Sequence, residues 1–215
     1  MLRPTTVMSV TVITIQVMSV TVKRYHCLVS RWEPNARGRL EQAALELYVE
    51  HGFEQTTVAE IAARAELTER TFFRYFTDKR EVLFSGAQYL QDALVAAVTD
   101  APASFAPLDA VAAALRVASD LLQERGVHAR QRQIVIEATT ELQERELIKM
   151  ATLSSAMARA LRGRGVTELA ASLTAAAGIA VFRIAFERWI ADDGPRELRD
   201  FMDESLAELR VVTAQ

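Results

Sequence analysis

The stretch Thr56-Thr57-Val58-Ala59-Glu60-Ile61-Ala62-Ala63-Arg64-Ala65-Glu66-Leu67-Thr68-Glu69-Arg70-Thr71-Phe72-Phe73-Arg74-Tyr75-Phe76 decides the fold. Thr57 followed three residues later by Glu60 is a capping box, which starts a helix. Val58, Ile61, Ala62 and Ala65 give that helix one apolar stripe. Glu66-Leu67-Thr68 reads as a three-residue turn, with Thr68 placed to cap a second short helix from Glu69 to Phe76. Phe72 and Phe76 stand four apart and point inward, with Leu67, Ile61 and Phe53 as their expected neighbours. Arg70, Thr71, Phe73, Arg74 and Tyr75 are left on the other faces.

Two short helices at a steep angle across a short turn form a helix-turn-helix unit, whose second helix enters the major groove of DNA. Such a helix must be rigid, so aromatics lock it from behind. Its outer face must offer donors to bases and phosphates, and Arg70, Thr71 and Arg74 do so. Lys79, beside the expected start of the next helix, adds a cation and N-terminal amides for a phosphate. Helix pairs with short turns also occur as ordinary hairpins with solvated arginines, so this unit taken alone leaves both readings open.

Outward from this segment the periodicity stays helical. Ala36–His51 places Leu40, Ala43, Ala44 and Leu47 on one face, and Gly52 ends it. A longer helix is expected from Asp78, as N-cap, towards Thr99. A loop follows around 101–108, marked by Pro102 and Pro107. Further helices are expected at 109–125, 127–139, 141–163, 167–191 and 196–210, with no strand after residue 36. The fold class is all-α.

The first 34 residues differ in kind. They hold no Ala or Gly, no acidic residue before Glu33, and three of the six Met. Val7–Val12 recurs as Val17–Val22, too short a repeat for a repeat architecture. This stretch is expected to be a poorly ordered extension, or the product of a start placed too far upstream. Lys23, Arg24, Arg31, Arg37 and Arg39, five positive charges against Glu33, are a candidate basic arm.

The run from Ala36 to Phe84, with its Gly-Phe at 52–53, Thr-Thr-Val at 56–58, Leu-Thr at 67–68, Thr-Phe-Phe-Arg-Tyr-Phe at 71–76 and Asp-Lys-Arg-Glu at 78–81, resembles the DNA-binding domain of the TetR family of repressors. The resemblance implies three segments: an extension at 1–34, a three-helix helix-turn-helix domain at 35–82, and a helical effector-binding and dimerisation domain at 83–215. It implies a cytoplasmic homodimer that binds a palindromic double-stranded DNA operator and is released by a small-molecule effector. Phe72 and Phe76 would be core, while Thr57, Thr68, Arg70, Thr71, Phe73, Arg74, Tyr75 and Lys79 would face DNA. Phe73 stands where many members have Tyr, which removes a phosphate-directed hydroxyl. Glu66 stands where the turn commonly has Gly; a left-handed residue there costs about 1–2 kcal/mol.

Charge and composition bound the alternatives. The chain of 215 residues carries a formal charge of −3. Between Arg37 and Arg80, seven basic residues face eight acidic ones, so any affinity for DNA must come from sorting charges by face. One cysteine, Cys27, excludes a disulfide framework or a thiolate zinc site, and three scattered histidines offer little for a metal. No catalytic triad, glycine-rich phosphate loop or paired-carboxylate motif is present, so neither an enzyme nor a cofactor is expected. The runner-up is a helical interaction or sensor protein with weakened DNA binding, supported by Glu66 and the acidic balance.

In the C-terminal half, the helix at 167–191 carries two apolar stripes. Leu169, Leu173, Ala177, Ala180 and Ile184 form one; Ile179, Phe182, Phe186, Trp189 and Ile190 form the other. Two stripes call for two neighbours. Together with the terminal helix (Leu198, Phe201, Met202, Leu206, Leu209) this suits a two-fold interface; the alternative is that both stripes are filled within one chain. Arg183, Glu187 and Arg188 are its polar exceptions, expected as solvated or intersubunit ion pairs. Charges interrupt the apolar runs, and no 18-residue membrane span is expected. The effector pocket is not identified.

Overall fold

The computed structural model describes residues 35–214, so the expectations for residues 1–34, including Lys23, Arg24 and Arg31 of the basic arm and Cys27, lie outside the described residues. Helices α1 (Ala36–His51), α2 (Val58–Arg64) and α3 (Glu69–Tyr75) form a head. A 3-10 turn (Glu81–Phe84) leads to α4 (Ala87–Asp100), α5 (Pro107–Gln123), α6 (Gly126–Glu137), α7 (Thr140–Gly163), α8 (Glu168–Ala191) and α9 (Leu198–Thr213). Among the described residues there is no strand.

The expected helix from Asp78 to Thr99 does not form as one piece. Val82, Leu83 and Phe84 are all buried, and the Leu83 carbonyl, which a continuous α-helix would bond to the Ala87 amide, accepts instead from Arg132 Nε at 2.7 Å. A 3-10 turn drops all three into the core, Ser85-Gly86 follows, and α4 begins only at Ala87. Asp78 does cap, but it caps the turn: its Oδ1 accepts from the backbone N–H of Arg80 at 2.9 Å and of Glu81 at 3.1 Å.

Two apolar cores result. The larger is built from α4, α5, α7, α8 and α9 around Leu94, Val98, Val111, Leu115, Met157, Leu161, Phe182, Trp189, Phe201 and Met202. Gly178 lets α8 approach α5 closely, because a Cβ there would stand 2.4 Å from Val111 Cγ1. The smaller core lies under the head, around Leu40, Tyr48, Phe53, Ile61, Phe72, Phe76 and Phe84. It is sealed by Val135 and Ile136 of α6 and Leu142 of α7, so the head does not bury its apolar surface alone.

The two stripes of α8 part company. Phe182 and Trp189 are buried, with Ile179, Phe186 and Ile190 packed against the same core. Leu169 is 72% exposed and Leu173 62%, and Ile184 lies on the same outward side. This chain alone therefore does not cover both. The terminal-helix residues expected at a two-fold interface, Leu198, Phe201, Met202 and Leu206, are instead buried in this chain's own core, with Leu209 packed against it. The expectation that no membrane-length apolar window exists is corrected here: α8 has one, with mean hydropathy 1.8. Its apolarity follows from having one stripe in the core and a second on the surface. Arg183 and Glu187 form an exposed pair at 3.7 Å, and Arg188 donates to Glu204 at 2.9 Å, so these polar exceptions are solvated.

Candidate nucleic-acid interface

Local chemistry builds the head in order. Thr56 Oγ1 donates to the Gly52 carbonyl at 2.9 Å, tying the loop to the end of α1, and Gly52 takes φ +83° to leave that helix. The capping box at α2 is complete: Thr57 Oγ1 accepts from Glu60 N–H at 3.2 Å, and Glu60 Oε2 accepts from Thr57 N–H at 2.7 Å. Those hydrogen bonds from Thr57 hold the Glu60 carboxyl below the usual carboxylate range.

The turn between α2 and α3 closes as a Schellman motif. Leu67 N–H reaches the Ala62 carbonyl at 2.8 Å, and Glu66 N–H reaches Ala63 at 2.9 Å. That geometry needs a left-handed residue, and Glu66 supplies it at φ +53°, the one non-glycine residue with positive φ among the described residues. Its carboxylate accepts from Arg39 Nη2 at 3.1 Å. The acid that stands in place of the usual turn residue is therefore paired with α1.

Thr68 caps α3, its Oγ1 accepting from Thr71 N–H at 3.2 Å and standing 3.0 Å from Thr71 Oγ1. From behind, Phe72 is fully buried and packs on Phe76, with ring centroids 5.4 Å apart. Phe53, Ile61 and Leu67 share that core, as the spacing predicts. In front, Phe73 is 56% exposed, Arg70 and Arg74 are exposed, and Tyr75 is partly so. Arg74 lies over the Tyr75 ring at 4.8 Å and donates to its hydroxyl at 2.9 Å.

Lys79 is placed differently from the expectation of a phosphate contact. Its Nζ donates to the carbonyls of Phe53 at 2.8 Å, Thr56 at 3.0 Å and Glu54 at 3.3 Å, and lies 4.3 Å from the Phe53 ring centroid. An ammonium has three protons, and all three are engaged. The amides expected to hold a phosphate beside it belong to Arg80 and Glu81, and the Asp78 carboxylate takes them. Tyr48 Oη donates to the Lys79 carbonyl at 2.6 Å. Burial, assisted by the nearby Asp78 charge, pushes the Tyr48 hydroxyl pKa up, so it remains a donor. Burial would also raise the Asp78 carboxyl, but hydrogen bonds from Arg80 and the backbone outweigh it and hold it low.

The charge sorting required by the acidic balance is achieved by pairing. Arg64 of α2 binds Glu50 at 2.8 Å and Glu46 at 3.4 Å, and Arg37 binds Glu41 at 3.1 Å. Arg80 is shared between Asp78 and Glu141. Arg70 and Arg74 have no carboxylate partner among the described residues, and both stand on the exposed side of α3. The interlocks with α6 and α7 were not visible in the linear sequence. Arg132 Nε donates to the Leu83 carbonyl at 2.7 Å, its Nη1 binds Glu146 at 3.1 Å, and its guanidinium lies over the Phe84 ring at 4.9 Å.

Comparison with known proteins agrees with this construction. The model of the family described as bacterial regulatory proteins, tetR family, matches residues 41–85, and that of the MftR C-terminal domain matches residues 105–214. The regulator TcmR of Streptomyces glaucescens is 41% identical over 80 residues, which are 37% of this chain and 35% of TcmR, about a third of its length. MftR of Mycobacterium tuberculosis, named as a mycofactocin biosynthesis transcriptional regulator, is 25% identical over 168 residues, 77% of this chain and 85% of MftR. Among solved structures, SmeT in complex with triclosan has a TM-score of 0.59 at 21% identity, covering 80% of this chain and 90% of SmeT. FadR of Bacillus subtilis with stearoyl-CoA gives 0.55 at 18% identity, over 79% and 95%. A regulator from Syntrophomonas wolfei gives 0.62 at 13%, over 84% and 95%. At these identities the structures show a shared fold. With two family models spanning its head and its helical body, the chain belongs to the TetR family of bacterial regulatory proteins.

Proposed function

We propose that this protein is a cytoplasmic, ligand-responsive repressor that binds a two-fold symmetric operator as a homodimer and releases it when a small-molecule effector binds the helical body. The observation that carries this reading is the outer face of α3. Arg70 and Arg74 stand exposed on a helix whose buried side is locked by Phe72, while the other arginines between Arg37 and Arg80 are tied to carboxylates. In this reading Arg70, Thr71 and Arg74 read bases or phosphates, Thr57 and Thr68 approach the backbone at their helix starts, and Phe73 and Tyr75 give apolar and hydroxyl contacts. Lys79 acts from beneath by holding the α1–α2 loop.

We assign residues 35–82 to DNA binding and 83–215 to effector binding and dimerisation. The exposed stripe of Leu169, Leu173 and Ile184 on α8 supports the two-fold contact, because an isologous interface presents one apolar patch twice. Such a dimer would set two α3 helices about 34 Å apart, one turn of DNA.

A gel-shift assay with DNA flanking the gene tests the reading. Wild type binds; Arg74→Ala binds about 1–3 kcal/mol more weakly, the cost of one good base or charged contact. Unchanged binding by a folded Arg70→Ala/Arg74→Ala double variant removes α3 from the groove. In sedimentation, Leu173→Glu shifts the protein towards monomer; a persistent dimer places the interface elsewhere.

A further inference from the structure

Beneath the head lies an open cleft of about 430 Å³, within the range of roughly 300–1,000 Å³ usual for small-molecule sites. Tyr75, Phe76 and Thr77 at the end of α3 form one side, and α4 and α7 form the others. Phe84, Leu90, Ile148 and Leu153 give it an apolar lining. One part is charged. The Glu81 carboxylate is flanked by Arg145 Nε at 2.6 Å and Lys149 Nζ at 3.1 Å, and all three groups line the cleft.

On the cleft lining itself, Arg37, Arg145 and Lys149 stand against a single carboxylate, Glu81. Glu81 offers one negative charge to two cations. Glu141, a turn before Arg145, shares Arg80 with Asp78, and Glu146, between the two cations on α7, pairs with Arg132; neither lines the cleft. Arg37 also lines the cleft, already bound to Glu41 and to the Ser85 carbonyl. A lining that offers more cationic donors than carboxylates, beside apolar walls, suits a guest with one anionic end and an apolar body, because a charge-assisted bond gains strength as water is displaced.

We propose that this cleft binds an amphipathic organic anion, a carboxylate or phosphate head on an apolar body, with the head on Lys149 and Arg145 in competition with Glu81. Glu81 opens the 3-10 turn that follows α3, so a guest that takes its two cations loosens the tie between the head and α7. This consequence rests on the repressor reading; the binding itself does not.

The test uses the full chain and three probes at fixed ionic strength, with affinity read by calorimetry: 2-naphthoate, its neutral isostere 2-naphthamide, and inorganic phosphate as a head without a body. Naphthoate is expected to bind at least about tenfold more tightly than either of the others, the worth of one charge-assisted bond or of the buried ring. Lys149→Gln should weaken naphthoate by about tenfold. Glu81→Gln removes the competing carboxylate and should tighten it several-fold, an effect opposite in sign to general damage. Circular dichroism checks that both variants fold, and Glu81→Gln alone decides if Lys149→Gln does not. Absence of naphthoate binding, equal affinity for naphthamide or phosphate, or indifference to Glu81→Gln overturns the proposal. No arm contains DNA, so such a failure leaves the operator reading to its own gel shift.

Discussion

Replacing Lys79 with methionine keeps an unbranched apolar stem, one atom shorter, while removing the charge over the Phe53 ring and three hydrogen bonds. Two of the three carbonyls it serves, those of Phe53 and Thr56, bond to it in part-buried positions. A charge-assisted bond contributes about 1.5–3 kcal/mol net, so two at the lower end give about 3 kcal/mol. The cation over the ring adds about 0.5–1 kcal/mol at a site of this exposure. The exposed bond to Glu54 is replaced by water and left out. Rehydration of the vacated carbonyls returns about 1 kcal/mol, leaving an expected loss of about 2–3 kcal/mol. At about 2–4 °C per kcal/mol for a chain of this size, Tm should fall by roughly 5–10 °C. The assay is thermal and urea unfolding followed by far-ultraviolet circular dichroism, paired with DNA binding across a salt series. A phosphate contact in each subunit of a dimer would contribute about 2 to the slope of log K against log salt. If Lys79→Met leaves stability intact and flattens that slope by about 2, Lys79 faces DNA and the locking role is wrong.

Three further outcomes are expected. Glu66→Gly should match or exceed wild-type stability by up to about 1 kcal/mol, since relief of the left-handed strain outweighs loss of an exposed ion pair, while Glu66→Val should fall below both; the reverse order in urea midpoints refutes the turn geometry. Gly178→Ala gains about 1 kcal/mol of helix propensity but drives a methyl to 2.4 Å from a β-branched side chain with little rotamer freedom, for a net loss of about 1–2 kcal/mol. Adding Val111→Ala should then recover part of the loss, and strict additivity in the double-mutant cycle would show that the two residues do not meet. Acid should destabilise the fold: Glu50, Glu60, Asp78 and Glu204 all have carboxyl pKa values held down by hydrogen bonds and ion pairs. Depressed carboxylates give stability that is complete above the unfolded pKa of about 4 and lost as pH falls through the lower folded values, so the urea midpoint should drop below about pH 4. A midpoint that rises on acidification contradicts those pairings.

Whatever depends on neighbours within a turn or two can be read from residue order alone. The Thr57–Glu60 capping box, the Thr68 cap, the inward pair Phe72 and Phe76, and the end of α1 at Gly52 were all legible, because the groups that make them lie within a few positions of one another. The outward position of Arg70 and Arg74 followed from the same periodicity. Where a group's partner lies far along the chain, only the folded arrangement shows what the group does. Lys79 reads as a free cation until the carbonyls of Phe53 and Thr56 fold over it, more than twenty residues away. Glu66 reads as a misplaced charge until Arg39 meets it. The break between Phe84 and Ala87 arises where Arg132 of α6 and Arg37 of α1 take the Leu83 and Ser85 carbonyls, distant partners that helical periodicity does not encode. The excess of charge between Arg145, Lys149 and Glu81 likewise exists only once α7 packs beside the turn, since electrostatic balance is a property of space and not of sequence order.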